Sequence, residues 1–583
     1  MTTTARDTHP RPQFTRKDWI NLNGTWAFSF DDENKGEKEG WFGTHPFGQT
    51  IEVPYTYETK ASGIGDETFH PYVWYQRTLD IPEALRSNNR VLLHFNGSDY
   101  LTKVWVNGHL VGRHQGGYTK FSFDITDVLK DDGAQDLVVK VEDSLSCEQP
   151  RGKQRWIGKN FGCWYVQTTG IWQTVWLEFV PETYLASVKI TPDADNGAVC
   201  FEWPIAGPLP KRLRLQADIS FEGQPIRSAS QTVDGRKLRM TMPVTSNIDE
   251  WKIKWWHPAH PHLYDVTFSL FDGDQLIDKV TSYFGMRKIS IENGRVLLNN
   301  HPIYQKLILD QGYWPTTGLT PPSEDALIKD IDAILAMGFN GVRKHQKVED
   351  PRFLYWCDKK GLLVWSEMAA AYEFSSDAVE AFTKEWTEIV RQNYNHPSII
   401  TWVPFNESWG VGNIYHDYRQ QQFTEAIYSL TKALDPMRPV IVNDGWEHTV
   451  SDILTLHDYE EAGKVFFERY ADKEKIVNNT IPHNKDKYAL AKGYAYKGQP
   501  IMISEYGGIA FKAKEGWGYG NQVETEEEFL GRYRAMTQAI KDCDYISGYC
   551  YTQITDVQQE INGLLTENRE PKVAVKKVRE INQ

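Results

Sequence analysis

Cysteine is scarce and scattered in this 583-residue chain: Cys147, Cys163, Cys200, Cys357, Cys543 and Cys550 are the whole set, with no Cys-x-x-Cys pair and no histidine cluster at zinc spacing. That pattern excludes a disulfide framework and a structural zinc centre, and the thiols are expected to be reduced and mostly buried. No run approaches the ~18 consecutive apolar residues of a membrane span. Met1 to Phe14 is polar and Pro-containing, without the apolar core of a signal peptide. Positive charge is also in deficit. With a formal charge of −14, neither nucleic acid nor an anionic membrane is an expected partner, since both attract basic surfaces. Internal repeats and low-complexity linkers are missing too. A cytoplasmic enzyme is the simplest expectation, and self-association into a homo-oligomer stays open.

What the chain has in abundance is aromatic surface, with 21 Trp, 29 Tyr and 26 Phe. Such rings dominate cores and interfaces, and they also stack on the C–H faces of sugars. The length calls for several domains at ~100–200 residues each. Residues 15 to 181 read as short β runs between turn signals, and Lys103-Val-Trp-Val-Asn107-Gly108-His-Leu-Val-Gly112 predicts a two-residue hairpin, since Asn-Gly tolerates the positive φ angles required. Residues 182–285 continue all-β without helical periodicity, as in an immunoglobulin-like sandwich.

From about residue 286 strand and helix alternate. Candidate strands are 303–309, 339–345, 362–368, 398–406, 439–443, 453–458, 500–505 and 545–552, the eight of a (β/α)₈ barrel. Between them lie amphipathic helices such as 323–337, where Leu327, Ile331, Ile334 and Leu335 form one stripe and Lys329, Asp330 and Asp332 are expected to face outward. Ser323 is a good cap for its N-terminus. The expected division is therefore 1–181, a jelly-roll, galactose-binding-like sandwich; 182–285, an immunoglobulin-like sandwich; and 286–583, a TIM barrel.

Two glutamates close apolar runs within that barrel. Glu407 ends Ser398-Ile-Ile-Thr-Trp-Val-Pro-Phe-Asn406-Glu407, and Glu505 ends Pro500-Ile-Met-Ile-Ser504-Glu505. Strand C-terminal tips of such a barrel converge on its catalytic face. Two carboxylates there are what retaining glycoside hydrolysis needs, one as acid/base and one as nucleophile. The acid must begin protonated, which calls for a raised pKa, and the nucleophile must stay ionised. Asn406 adds an amide able to hold a sugar 2-hydroxyl.

The segment Asn393-Tyr-Asn395-His396-Pro397 through Trp402, Asn406-Glu407-Ser408-Trp409-Gly410 resembles the acid/base region of glycoside hydrolase family 2, the family of β-galactosidases, β-glucuronidases and β-mannosidases. The resemblance extends over the whole chain: Trp74-Tyr75-Gln76-Arg77 and Val104-Trp105-Val106-Asn107-Gly108 look like its sugar-binding sandwich, Gly285-Met-Arg287 like its barrel entry, and Ser504-Glu505-Tyr506-Gly507 like its nucleophile strand. It implies an acid/base role for Glu407, a nucleophile role for Glu505 and retention of configuration. It also nominates Arg343, His345, His457, Tyr459, Trp409 and Tyr551 as substrate-binding residues, Tyr551 at the strand-eight place that often holds a stacking Trp.

Two departures from the family sharpen the expectation. After strand three, Ala371 and Glu373 stand where metal-dependent β-galactosidases have a Glu-x-His pair, so no metal or other cofactor is expected. The strand-eight loop reads Glu560-Ile561-Asn562, without the lysine with which β-glucuronidases grip the sugar carboxylate. Uronic acid is thus a poor first guess, and a neutral β-galactoside, common in the family, is the first expected substrate, with β-glucuronide, β-mannoside, arabinoside and galactofuranoside as alternatives. An endo-acting glycanase, and a non-catalytic carbohydrate-binding protein on the same scaffold, are the rival readings.

Overall fold

The computed structural model describes residues 8–43, 45–131, 133–245 and 252–583; part of the Met1 to Phe14 segment thus lies outside the described residues. The first β region is a sandwich. A six-stranded sheet, Gln49–Val53, Gly24–Phe30, Tyr72–Leu79, Gln135–Glu142, Leu101–Val106 and His109–Gln115, faces a four-stranded sheet, Trp19–Asn21, Val175–Val180, Arg90–Phe95 and Phe121–Asp124. Alternate residues of both, among them Val73, Tyr75, Val91, Leu93, Val139 and Leu177, meet in one core. The Asn107-Gly108 turn has φ of 52° and 78°, both in the region that only a two-residue hairpin of this hand demands.

The second β region pairs a sheet of Tyr184–Leu185, Ala198–Ala206, Lys189–Asp193 and Lys237–Pro243 with one of Gln224–Thr232, Leu213–Phe221, Tyr264–Asp272 and Gln275–Phe284. In Leu213–Phe221, Leu213, Leu215, Ala217 and Ile219 point inward and the residues between them outward, the period-2 signature of a sheet with one wet face. All six cysteines are free thiols; four are buried, while Cys147 and Cys163 are half-buried.

The C-terminal region is a parallel barrel. Strands one (Gln305–Asp310), two (Gly341–Lys344), three (Leu363–Glu367), four (Ile399–Val403), six (Leu454–His457), seven (Ile501–Gly507) and eight (Ile546–Thr552) form one curled sheet in the order 4-3-2-1-8-7-6. Strand five is shorter than the sequence suggests. Only Asn443–Asp444 pairs as strand, with Phe405–Asn406; before it Ile441 N–H still bonds Trp402 O of strand four at 2.9 Å, but the alternate amides are taken by side chains, Val440 N–H by Asp452 Oδ2 at 2.8 Å and Val442 N–H by Ser451 Oγ at 2.9 Å. Side chains satisfy what a ladder would, so the barrel closes here without a regular strand.

Inward residues Leu307, Leu309, Trp365, Met502 and Cys550 fill the barrel, whereas Ile308, Val342, Val364, Tyr549 and Tyr551 face the surrounding helices. The helix Glu324–Ala336 follows its expected cap, with Ser323 Oγ accepting from Ala326 N–H. Asp330 corrects the outward-facing reading: it is buried and paired with Arg569 at 3.2 Å, a partner supplied from the far end of the chain.

Candidate active site

The barrel tips gather the charged residues around Arg343. This side chain, at the end of strand two, is fully buried. Its Nε donates to Glu367 Oε2 at 2.7 Å, Nη1 to Glu505 Oε1 at 2.7 Å, and Nη2 to Asn406 Oδ1 at 2.6 Å and His345 Nδ1 at 3.1 Å. Asp444 Oδ2, at the end of strand five, lies 2.7 Å from Nη1. One guanidinium thus ties strands two, three, four, five and seven together, with the planar fork that a lysine lacks. Although burial alone would lower it, Asp444, Glu367 and Glu505 push its pKa well above the ordinary value. His345, an acceptor from Arg343, is driven the other way: burial, then Lys153 and Arg343, hold it well below the usual imidazole range.

Glu407 and Glu505 come together as the sequence expects. One oxygen of each and one His457 nitrogen lie within 4.8 Å of one another. Among the described residues this trio is the one group of three or more acidic, histidine or cysteine side chains with that spacing, and it coincides with the glutamate pair. Glu407 and Ser408 both have positive φ, 50° and 60°, a conformation that costs a non-glycine residue roughly 1–3 kcal/mol. The turn is held by Glu407 N–H to Asp444 O and Ser408 N–H to Asn443 Oδ1, both 2.9 Å. Glu505 accepts from Arg343 and from the Tyr459 hydroxyl.

His457 joins the two glutamates. Its Nδ1 is 2.8 Å from Glu407 Oε1 and 3.5 Å from Glu505 Oε2, and its Nε2 is 3.0 Å from Asp444 Oδ2. Burial pulls the imidazole down, yet Glu505, Asp444 and the Glu407 hydrogen bond overcome this and push it up to about 10. The converse holds for Glu407. Burial raises its carboxyl, but the hydrogen bond and charge of His457, with Lys153 and Arg343, leave it below the usual carboxylate range. The raised pKa expected of an acid is therefore not that of Glu407 alone; the proton belongs to the Glu407–His457 pair.

The other nominated residues divide. Asn406 keeps its Nδ2 without a protein partner, a free donor beside the glutamates. Trp409 stands at the mouth, its ring 5.4 Å from Trp164 and 5.3 Å from Tyr372. Tyr551 is a correction: it is fully buried on the helix side of strand eight, 4.7 Å from the Tyr533 ring and 5.5 Å from Tyr506. The next residue, Thr552, points to the site instead, its hydroxyl 3.1 Å from Tyr459 Oη.

Sequence reasoning missed the mouth. The sandwich segment between Glu142 and Gly170 lies across it, with Arg151 and Gly152 N–H donating to Ala370 O at 2.9 and 3.0 Å and Tyr372 N–H to Cys147 O at 2.8 Å. Gly152 has φ of 61°, and a Cβ there would sit 2.4 Å from Gln346 O, so no other residue permits this approach. Trp156, Phe161 and Trp164 of the segment pack with Tyr372 and Trp409. Tyr165 hydrogen-bonds Glu560. The Trp-rich stretch 156–164 was the available signal.

Comparison with known proteins identifies the family and the fold. Residues 20–177 match the family model described as glycosyl hydrolases family 2, sugar binding domain; residues 183–287 match glycosyl hydrolases family 2; and residues 289–583 match glycosyl hydrolases family 2, TIM barrel domain. A β-galactosidase of Thermoanaerobacter pseudethanolicus is 25% identical over 545 residues, 91% of this chain and 66% of that protein. A β-glucuronidase of Paenibacillus borealis is 22% identical over 617 residues, 98% of this chain and 97% of its own. This chain spans only about half to two thirds of the length of several relatives, including the Thermoanaerobacter enzyme and a β-galactosidase of Oenococcus oeni at 55%. In fold, it superposes on the Bifidobacterium dentium β-glucuronidase complexed with coumarin-3-O-glucuronide with a TM-score of 0.80, covering 97% of both chains at 19% identity.

Proposed function

The chain belongs to glycoside hydrolase family 2, and from that premise we propose that it is a retaining, exo-acting β-glycosidase in which Glu505 is the nucleophile and Glu407 the acid/base. In this reading residues 1–181 are the sugar-binding-type sandwich, 182–285 the immunoglobulin-like unit and 286–583 the catalytic barrel. The observation that carries it is that one oxygen of Glu407 and one of Glu505 lie within 4.8 Å of each other, both within reach of His457. Retaining enzymes hold their carboxyl groups ~5–5.5 Å apart, whereas inverting ones leave ~6.5–9.5 Å for a water.

The residues divide the work. Arg343 and the Tyr459 hydroxyl hold and aim Glu505 through hydrogen bonds, and Glu505 attacks the anomeric carbon. With Nε2 facing Asp444, the mobile proton of His457 is on Nδ1, 2.8 Å from Glu407. Its transfer gives a neutral imidazole and a protonated Glu407, the form that protonates the leaving oxygen. The resulting carboxylate then accepts a proton from water, which attacks the glycosyl ester. Asn406 Nδ2 is free to hold the 2-hydroxyl, a contact that strengthens in the transition state. The sandwich segment across the mouth supports an exo-acting pocket over the open cleft of an endo-glycanase.

Two glycones stand out, a neutral β-galactoside and a β-glucuronide, the names carried by the relatives above. The first is the sequence expectation because β-galactosides are common in the family, and Glu560-Ile561-Asn562, lacking a lysine, argues against the second; a carboxylate beside two glutamates needs a cation. A panel of nitrophenyl β-glycosides, with proton NMR of the first-formed sugar, tests the reading. Release of the β-anomer first supports it; an α-anomer, or no turnover on any member, refutes it.

A further inference from the structure

The cation missing from the strand-eight loop comes from the sandwich. Lys153 follows Gly152, the residue in backbone contact with the barrel loops, and is 7% exposed. Its Nζ donates to Cys163 Sγ at 3.2 Å and lies 5.8 Å from the Trp164 ring centroid. A thiol is a weak acceptor, and an ammonium has three donors. No carboxylate stands within ion-pair distance of Lys153 among the described residues. The barrel cations differ sharply: Arg343 is clasped by Glu367, Asp444 and Glu505, Lys344 by Asp310 and Glu349, and Lys347 by Glu349, all at 2.6–3.0 Å.

Through Trp164, which packs on Trp409, Lys153 also lies within electrostatic reach of the site. Its charge bears on His345 after strand two, Glu407 after strand four and Glu560 after strand eight. Burial raises the Glu560 carboxyl, which shares its oxygens with Tyr165 and Asn562, so Glu560 is a poor counter-ion. A buried ammonium without a carboxylate is costly unless a ligand brings one.

We propose that Lys153 is the specificity-determining cation of this pocket and takes the carboxylate of an acidic glycone, a hexuronate, bound in front of Glu407 and Glu505. A neutral hexose offers hydroxyls but no charge to match the ammonium. This assignment rests on the glycosidase reading and reverses its substrate order: the charge of a uronate, uncompensated by the strand-eight loop, is met from outside the barrel.

The test compares nitrophenyl β-D-glucuronide and β-D-galacturonide with the matching glucoside and galactoside, using the full chain and its Lys153→Met and Lys153→Arg variants. The native enzyme is expected to favour a uronide over its neutral counterpart by at least ~10² in kcat/KM, the scale of one charged hydrogen bond. Lys153→Met should lose the uronide preference, its uronide-to-neutral ratio of kcat/KM falling by about that factor whatever the change in the neutral rate, and Lys153→Arg should keep that preference. A neutral preference in the native enzyme, or equal losses on both substrates in Lys153→Met, overturns the proposal. Calorimetry on the Glu505→Gln protein with free glucuronate, galacturonate and glucose gives a second readout. Uronate binding that Lys153→Met abolishes, without turnover of any glycoside, upholds recognition and sinks the glycosidase reading; hydrolysis of neutral glycosides without uronate binding does the opposite.

Discussion

Replacing His457 by Asn separates the acid from the group that stores its proton. In the native site the Glu407–His457 pair holds one proton, and the pair loses it only as pH rises through the raised imidazole value of about 10. Activity that depends on that proton should therefore persist to high pH, with the alkaline limb of kcat/KM reporting the pair. In His457→Asn the proton resides on Glu407 alone. Burial still raises that carboxyl, but enzymes tune such acids only to roughly 6–7, so the alkaline limb should fall by on the order of 3–4 pH units. The assay is kcat/KM against pH on one aryl glycoside for both proteins. An alkaline limb that stays in place refutes the shared proton. Stability gives an independent check. Because the folded His457 value exceeds the unfolded one of about 6.5, its contribution is complete below that pH and is lost as pH rises through about 10. Tm should drop more between pH 7 and 10 in the native protein than in His457→Asn, and equal drops would contradict the assignment.

Arg343→Met leaves Glu367, Asp444 and Glu505 clustered without their cation; breaking a buried pair costs ~3–5 kcal/mol, so Tm should fall clearly and turnover should be lost, whereas unchanged melting would mean the cluster relaxes freely. Gly152→Ala places a methyl 2.4 Å from Gln346 O at φ 61°, and since even small misplacement of a site can cost ~10²-fold, kcat/KM should fall at least about tenfold; native kinetics would show that the segment does not shape the pocket. Exhaustive EDTA dialysis should leave activity intact, because Arg343 and His457 provide the positive charge at both glutamates; loss that magnesium restores would contradict this.

The barrel was legible because strands buried on both faces read as near-continuous apolar runs, and Glu407 and Glu505 stand out as charges where two such runs end. The same property hid the parity of strand eight. In Ile546-Ser-Gly-Tyr-Cys-Tyr551 both faces are covered, so nothing in the run says that Cys550 points into the barrel and Tyr551 toward the helices. Strand five looked regular because Asp452 and Ser451, which take its amides, lie downstream and signal nothing locally. Asp330 looked exposed because its partner Arg569 is 239 positions away. Lys153 gives no local signal for the same reason: it lies in the sandwich, more than 400 positions before the strand-eight loop in sequence.

The most direct test of the two-carboxylate chemistry is mass spectrometry of the peptide labelled by an activated 2-deoxy-2-fluoro β-glycoside of whichever sugar the enzyme turns over. A single glycosyl adduct on Glu505, absent in Glu505→Gln, is the expected result, because that oxygen pair is oriented by Arg343 and Tyr459 within reach of the acid. An adduct on Glu407, Glu367 or any other residue, or full turnover by Glu505→Gln, would contradict the assignment.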